Sequence, residues 1–117
     1  MARLSKLSRS IAGKVAFVTG TASGMGRATA YLFADEGAHV ACVDINGQGA
    51  EETAAAIRGA GGSAQAWTLD VGDRDAVNAV VEAAAQHFGG LDILINNAGI
   101  STAARIDSDE YEAQWER

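Results

Sequence analysis

Val15-Ala16-Phe17-Val18-Thr19-Gly20-Thr21-Ala22-Ser23-Gly24-Met25-Gly26 decides how the chain is read. Four apolar residues bounded by Gly13 and Gly20 read as a strand buried on both faces. The glycine-built turn that follows leads straight into a helical pattern. Gly20 permits the tight turn off the strand. Gly24 removes a side chain where a phosphate must approach the backbone, and Gly26 lets the helix pack closely on the strand. The first N–H groups of that helix, with its dipole, then face a negative ligand such as a pyrophosphate. Only Arg27-Ala28 follows Gly26, not a Lys-Ser/Thr pair, which argues against a Walker-type ATP site.

Outward from this turn, strands and helices alternate. Residues 24–36 read as a helix carrying Ala28 and Leu32 and stopped by Gly37, and Val40 to Val43 as a second strand. Residues 48–58 form a helix with Ala50, Ala54 and Ile57 on one side, ended by Gly59, Gly61 and Gly62. A third, less apolar strand runs over 64–69. Asp73 caps a helix whose Val77, Val80, Val81, Ala84 and Phe88 share one face, and Gly89-Gly90 stop it. Residues 91–95 are a fourth strand, apolar enough for a sheet interior yet left at an edge. Asp107 or Ser108 opens a last helix, with Glu110 completing a capping-box pattern. Strand–helix–strand repetition of this kind predicts a parallel sheet with right-handed crossovers and helices on both faces.

The 117 residues make one domain or part of one, and 48% hydrophobic with 21% charged residues is the balance of a globular core. A net charge of -6 without a Lys/Arg cluster argues against a nucleic-acid partner. No apolar run reaches the roughly 18 residues of a membrane span. Residues 1–11, with Arg3, Lys6 and Arg9 and no acid, read as a flexible lead-in to a domain at 12–117. Cys42 is the only cysteine and stands in an apolar run, so it reads as a small buried hydrophobe. Both points suit a reducing cytoplasm. His39 and His87 lack partners at metal-ligand spacing, and no metal site is expected.

Three further features fall at carboxyl ends of the strands, where open parallel sheets bind ligands. Asp44 stands about 20 residues after Gly24, the separation of an acid that bonds an adenosine ribose and repels a 2′-phosphate. Neither Ser23 nor Ile45 supplies a cation to offset that repulsion, which leans the reading to NAD. Taken alone, Asp44 is equally a strand-end turn residue with Asn46 and Gly47. Asp70 could accept from an adenine amino group while Val71 covers the ring, or Asp70 could share the helix cap with Asp73. Asn96-Asn97-Ala98-Gly99 places two amides just past an apolar strand, where they can bond backbone on either side of a crevice.

Together these motifs resemble the short-chain dehydrogenase/reductase family over roughly residues 12–117. The resemblance implies an α/β Rossmann-type fold, a doubly wound parallel sheet that is incomplete here, with four strands in the order 3-2-1-4. It implies an NAD-dependent oxidoreductase interconverting an alcohol and a carbonyl of a small molecule, homo-oligomeric in its full-length form. Carried onto this chain, Gly20, Ser23, Gly24, Met25 and Gly26 would line the pyrophosphate. Asp44 and Ile45 would meet the adenosine ribose, Asp70 and Val71 the adenine, and Asn97, Ala98 and Gly99 the inner ribose. Family members are usually more than twice this length and use a Tyr with a Lys four residues on, aided by Ser and Asn. Tyr31 is followed at that spacing by Asp35 and Tyr111 by Trp115, and the only lysines are Lys6 and Lys14. The expectation is therefore a cofactor-binding half without its catalytic groups, inactive by itself. The alternative is a non-catalytic nucleotide-binding or interaction module.

Overall fold

The computed structural model describes residues 10–97. Within them lie β1 (Val15–Thr19), α1 (Gly24–Asp35), β2 (His39–Asp44), α2 (Gly47–Gly59), β3 (Ser63–Thr68), α3 (Arg74–Phe88) and β4 (Ile93–Ile95). All strand pairs are parallel and the sheet order is β3-β2-β1-β4. This is the doubly wound α/β arrangement expected from the alternating pattern. No helix among the described residues is long and apolar enough to cross a membrane.

The two-residue period of the strands divides the interior into two cores. Ala16 and Val18 of β1, Val40 and Cys42 of β2, and Ala64 of β3 face Ala30 of α1 and Ala54 and Ile57 of α2. Side chains this small bring both helices close to the sheet. On the other face Phe17, Ala41, Val43 and Leu69 cluster with Ala84 of α3. Val77, Val80, Val81 and Phe88 pack around that cluster half-buried, the stripe that their spacing predicts. Asp73 caps α3 by accepting the Ala76 N–H at 3.1 Å. At the amino ends of β2 and β3, His39 Nδ1 lies 2.8 Å from Ser63 Oγ, and in the last turn of α3 His87 meets Phe88 and Trp67 edge-on. His39 thus serves hydrogen bonding and ring packing, and His87 serves ring packing.

One local expectation changes, and the inward face of α1 becomes visible. Strand β4 starts at Ile93, not at residue 91, because Asp92 joins the sheet through its side chain. Asp92 Oδ2 accepts the Val15 N–H and the Asp92 N–H donates to Val15 O, both at 2.9 Å. Leu91 instead packs beside the Phe17 cluster. In α1, Ala28 is exposed and Leu32 is 59% exposed. The inward stripe is Gly26, Ala30, Phe33 and Ala34, set by the close seating of Gly26.

Of the lead-in, Ser10 and Ile11 are described. Ser10 Oγ accepts the Ala12 N–H at 3.1 Å and Ile11 O the Lys14 N–H at 3.0 Å. The helix expected from Asp107, together with Ala98, Gly99, Arg105, Tyr111 and Trp115, lies outside the described residues.

Cys42 is fully buried, and burial is the main cause that pushes its thiol up from 9.0 to about 12. Arg58 works against the rise and Glu51 adds to it. The folded thiol thus keeps its proton where the unfolded one ionises. Its contribution to stability is intact below the ordinary 9.0 and is lost as pH rises toward 12. At about pH 8 Ellman's reagent should label Cys42 at the rate of unfolding, and urea midpoints should fall progressively above about pH 9. Immediate labelling of the native protein would refute both statements.

Candidate functional site

The carboxyl ends of β1, β2 and β4 converge on the turn between β1 and α1. Parallel register places Thr19 opposite Val43, and Val18 opposite Ile95. The loops leaving these strands therefore start from one edge. A groove of about 580 Å³ between α1 and α2, lined by Tyr31, Asp35 and Ile57 among others, opens near the ends of those helices, away from this edge.

Gly20 and Gly24 both have positive φ, 73° and 60°. A Cβ at Gly24 would meet nothing within 4 Å, so the turn presents bare backbone to open space there. Gly26 is the reverse case. A Cβ added to it would fall under 3.0 Å from the carbonyl carbon and oxygen of Gly20, and 3.1 Å from Thr19 O. Only glycine lets α1 start directly against the end of β1. Ser23 is the N-cap in extended conformation, yet its hydroxyl caps nothing, and the first turn carries no acid. Neither a side-chain cap nor an acidic first turn offsets the positive end of α1.

The turn is held from three sides. From β2, Val43 O accepts both the Thr21 N–H at 3.2 Å and the Thr21 hydroxyl at 3.1 Å. Asp44 Oδ2 accepts the Ala22 N–H at 2.9 Å, and its Oδ1 accepts the Asn46 N–H at 2.8 Å. From α2, the hydroxyl of buried Thr53 donates to Thr21 O at 2.6 Å. From α1, Arg27 donates through Nε to Thr53 Oγ1 at 3.0 Å and through a second guanidinium nitrogen to Ala22 O. At Gly49 a Cβ would fall 2.5 Å from that of Ala22, so the start of α2 is packed against the turn as well.

Of the two readings of Asp44, the structure shows the strand-end turn, together with a bond the sequence did not announce. It is a strand-end turn residue toward Asn46, and it is also bonded to the glycine turn. Ile45 beside it is 67% exposed and Met25 is 75% exposed, two large apolar side chains on the rim. Asp70 is exposed and accepts the Gly72 N–H at 2.9 Å, while Asp73 alone makes the helix cap. Val71 is half-buried against the Phe17 cluster. The Asn pair ties β4 to β1. The Thr19 hydroxyl donates to Asn96 Oδ1 at 2.8 Å and accepts the Asn97 N–H at 3.0 Å. Asn97 Nδ2 reaches Thr19 O at 3.4 Å, a bond from amide to backbone across the gap between the two strand ends.

Thr19, Thr21, Arg27, Thr53 and Gly49 are the members of this arrangement that motif reading passed over. The available signal was a Thr flanking each side of Gly20, and a Thr on the apolar side of the second helix. Among the described residues no group of three or more His, Cys, Asp or Glu could hold a metal ion.

A Gly-rich turn after a buried strand, an acid ending the next strand, and an amide pair on the neighbouring strand all lie at the carboxyl edge of this Rossmann-type sheet. The comparisons with known proteins make the class specific. The family model for short chain dehydrogenase matches residues 14–117. D-threitol dehydrogenase of Mycolicibacterium smegmatis is 47% identical over 92 residues, covering 79% of this chain and 35% of its own. The 3-oxoacyl-[acyl-carrier-protein] reductase of Thermotoga maritima is 40% identical over 104 residues, covering 86% of this chain and 42% of its own. A dehydrogenase/reductase structure from Sinorhizobium meliloti superposes with a TM-score of 0.74 at 43% identity, over 77% of this chain and 36% of that one. The chain belongs to the short-chain dehydrogenase family. It spans 35% to 42% of the length of the relatives named.

Proposed function

We propose that residues 10–97 form the dinucleotide-binding part of an oxidoreductase that uses NAD(H) to interconvert an alcohol and a carbonyl of a small molecule. The observation that carries this reading is the pairing of an open, uncapped glycine turn with an acid fixed beside it. The turn suits a pyrophosphate: Gly24 has clear space in front of its backbone, and the Ser23 hydroxyl does not compete for the first N–H groups. Asp44 has one bond on each carboxylate oxygen, which leaves lone pairs for the two hydroxyls of a ribose. A 2′-phosphate would meet a fixed negative charge instead. Arg27, a cation close by, is turned into the turn by its bonds to Thr53 and Ala22 and is not paired with Asp44. This favours NAD over NADP.

In the same reading Ile45 and Met25 flank the nucleotide, Asp70 and Val71 take the adenine, and Asn97 with Ala98 and Gly99 borders the inner ribose. Bound here, the nicotinamide group supplies the hydride acceptor or donor. Proton transfer falls to residues other than these, since no Tyr in 1–117 has a Lys four residues on.

Replacing Asp44 by Ala tests the NAD assignment in the gene product. The variant removes the ribose acceptor and also frees the Ala22 N–H, so affinity for both cofactors falls in part. Only NADPH is relieved of repulsion. The NADH-to-NADPH affinity ratio, measured by fluorescence titration, should drop by roughly tenfold or more. An unchanged ratio removes the role given to Asp44, whatever happens to the absolute affinities.

A further inference from the structure

We propose that Arg27 and Thr53 form a positioning pair that sets the direction of the glycine-turn amides and so tunes affinity for the phosphates of a dinucleotide. The proposal rests on the dinucleotide reading above and extends it to residues on α1 and α2. The two backbone polar atoms of Ala22 are both held by side chains: Asp44 takes the N–H and Arg27 takes the carbonyl oxygen. The Thr21 carbonyl is held one residue earlier by Thr53, whose own oxygen receives Arg27 Nε. Two successive carbonyls of the turn are therefore drawn inward toward one guanidinium. A peptide whose carbonyl is fixed inward has its following N–H directed away from it, so these bonds aim the Ala22 N–H at Asp44 and turn the Ser23 N–H away from the guanidinium.

The geometry also says what Arg27 does not do. An arginine that grips phosphate presents its planar fork outward. Here Nε and one terminal nitrogen are committed to Thr53 and Ala22, and Thr53 is fully buried. The charge acts through the turn and not by direct contact. Thr53 is the sensitive member, because its hydroxyl both donates to Thr21 O and accepts from Arg27 Nε. Valine at 53 has the same shape and neither function. It leaves a buried carbonyl and a guanidinium N–H unpaired together.

Three variants of the gene product decide the matter: Thr53→Val, Thr53→Ser and Arg27→Met. Competition titrations would use NADH, ADP and adenosine, with amide hydrogen exchange read at residues 22–26. T53V and R27M should weaken NADH and ADP roughly tenfold and leave adenosine unchanged, because adenosine has no phosphate to sense the turn. T53S keeps the hydroxyl and should restore phosphate-dependent affinity to within about threefold of the parent. Exchange at 22–26 should rise in T53V and R27M alone. A general loss of stability would lower all three ligands together and would not be rescued by serine. That outcome overturns a positioning role, as does T53V binding ADP like the parent while R27M does not. If the parent protein binds neither NADH nor ADP, the dinucleotide reading itself falls and the role of the pair falls with it.

Discussion

Gly26→Ala is expected to abolish measurable dinucleotide binding while most of the sheet survives. The added methyl would enter the space of the Gly20 carbonyl and press on Thr19 O as well. Neither obstacle is a flexible side chain that can swing away. Both belong to backbone at the end of β1, where Thr19 is also bonded to Asn96 and Asn97. Either α1 moves off the strand or the turn opens. Moving α1 shifts Ala30, which is fully buried against the sheet. Opening the turn breaks the bonds that Thr21 and Ala22 make to Val43, Asp44, Thr53 and Arg27. Overpacking of this kind costs about 3 kcal/mol or more when the neighbours are backbone. In the dinucleotide reading, each charge-assisted amide–phosphate bond lost costs a further ~1.5 to 3 kcal/mol in binding, roughly tenfold or more in affinity. Urea melts and NADH titration of the variant measure the two parts separately. A folded G26A protein that binds NADH within about threefold of the parent would show that α1 does not need this close seat.

What the sequence made legible is what local chemistry determines. Glycines punctuate it, four-residue apolar runs mark strands that are covered on both faces, and Asp73 announces the cap of α3 through its type and place. Strand order followed from the family resemblance and the parallel pattern. Contacts between distant residues decide what the local pattern leaves open. Leu91 and Asp92 continue an apolar run and look like strand, but Asp92 binds Val15 through its carboxylate, a contact between residues far apart in the chain. Ala28 and Leu32 carry hydrophobic character on a helix whose rotation is fixed by Gly26, a residue that hydropathy treats as neutral.

The candidate site divides along the same line. Gly20, Gly24, Gly26 and Asp44 were visible because each residue type solves a local problem: positive φ, close approach, or a carboxylate at a strand end. Arg27 and Thr53 were not, since arginine on a helix usually means a solvated face. Their importance comes from a bond that joins two helices and reaches back to the turn between β1 and α1. The turn reading of Asp44 was local and is met by its bond to Asn46, whereas the bond of its second oxygen to Ala22 joins positions 22 residues apart that no spacing announced.

Phe17→Ala should cost about 3 to 5 kcal/mol, the usual range for emptying a buried phenylalanine site. Phe17 is the largest of the fully buried side chains among the described residues, and it anchors the core between β1, β2 and α3. That core is the less redundant of the two. Of α3 only Ala84 is fully buried, and the valines and Phe88 around it are half-exposed. On the opposite face α1 and α2 rest on many small buried residues, none of which fills a comparable volume. Deleting the ring leaves a cavity that alanines at 41 and 84 are too short to fill, and α3 has little else to hold it. Against a total stability of roughly 5 to 15 kcal/mol, the loss leaves the protein close to its folding threshold. It also falls unevenly: amides of α3 should exchange early, whereas those of β1, β2 and α2, shielded by the Ala16–Val18–Ala54 side, should still report the global transition. Affinity for NADH per folded molecule should change less than in G26A, because no bond of the glycine turn passes through the ring. Uniform acceleration of exchange across all helices would show that the two cores melt as one unit and that α3 is not separately anchored by Phe17.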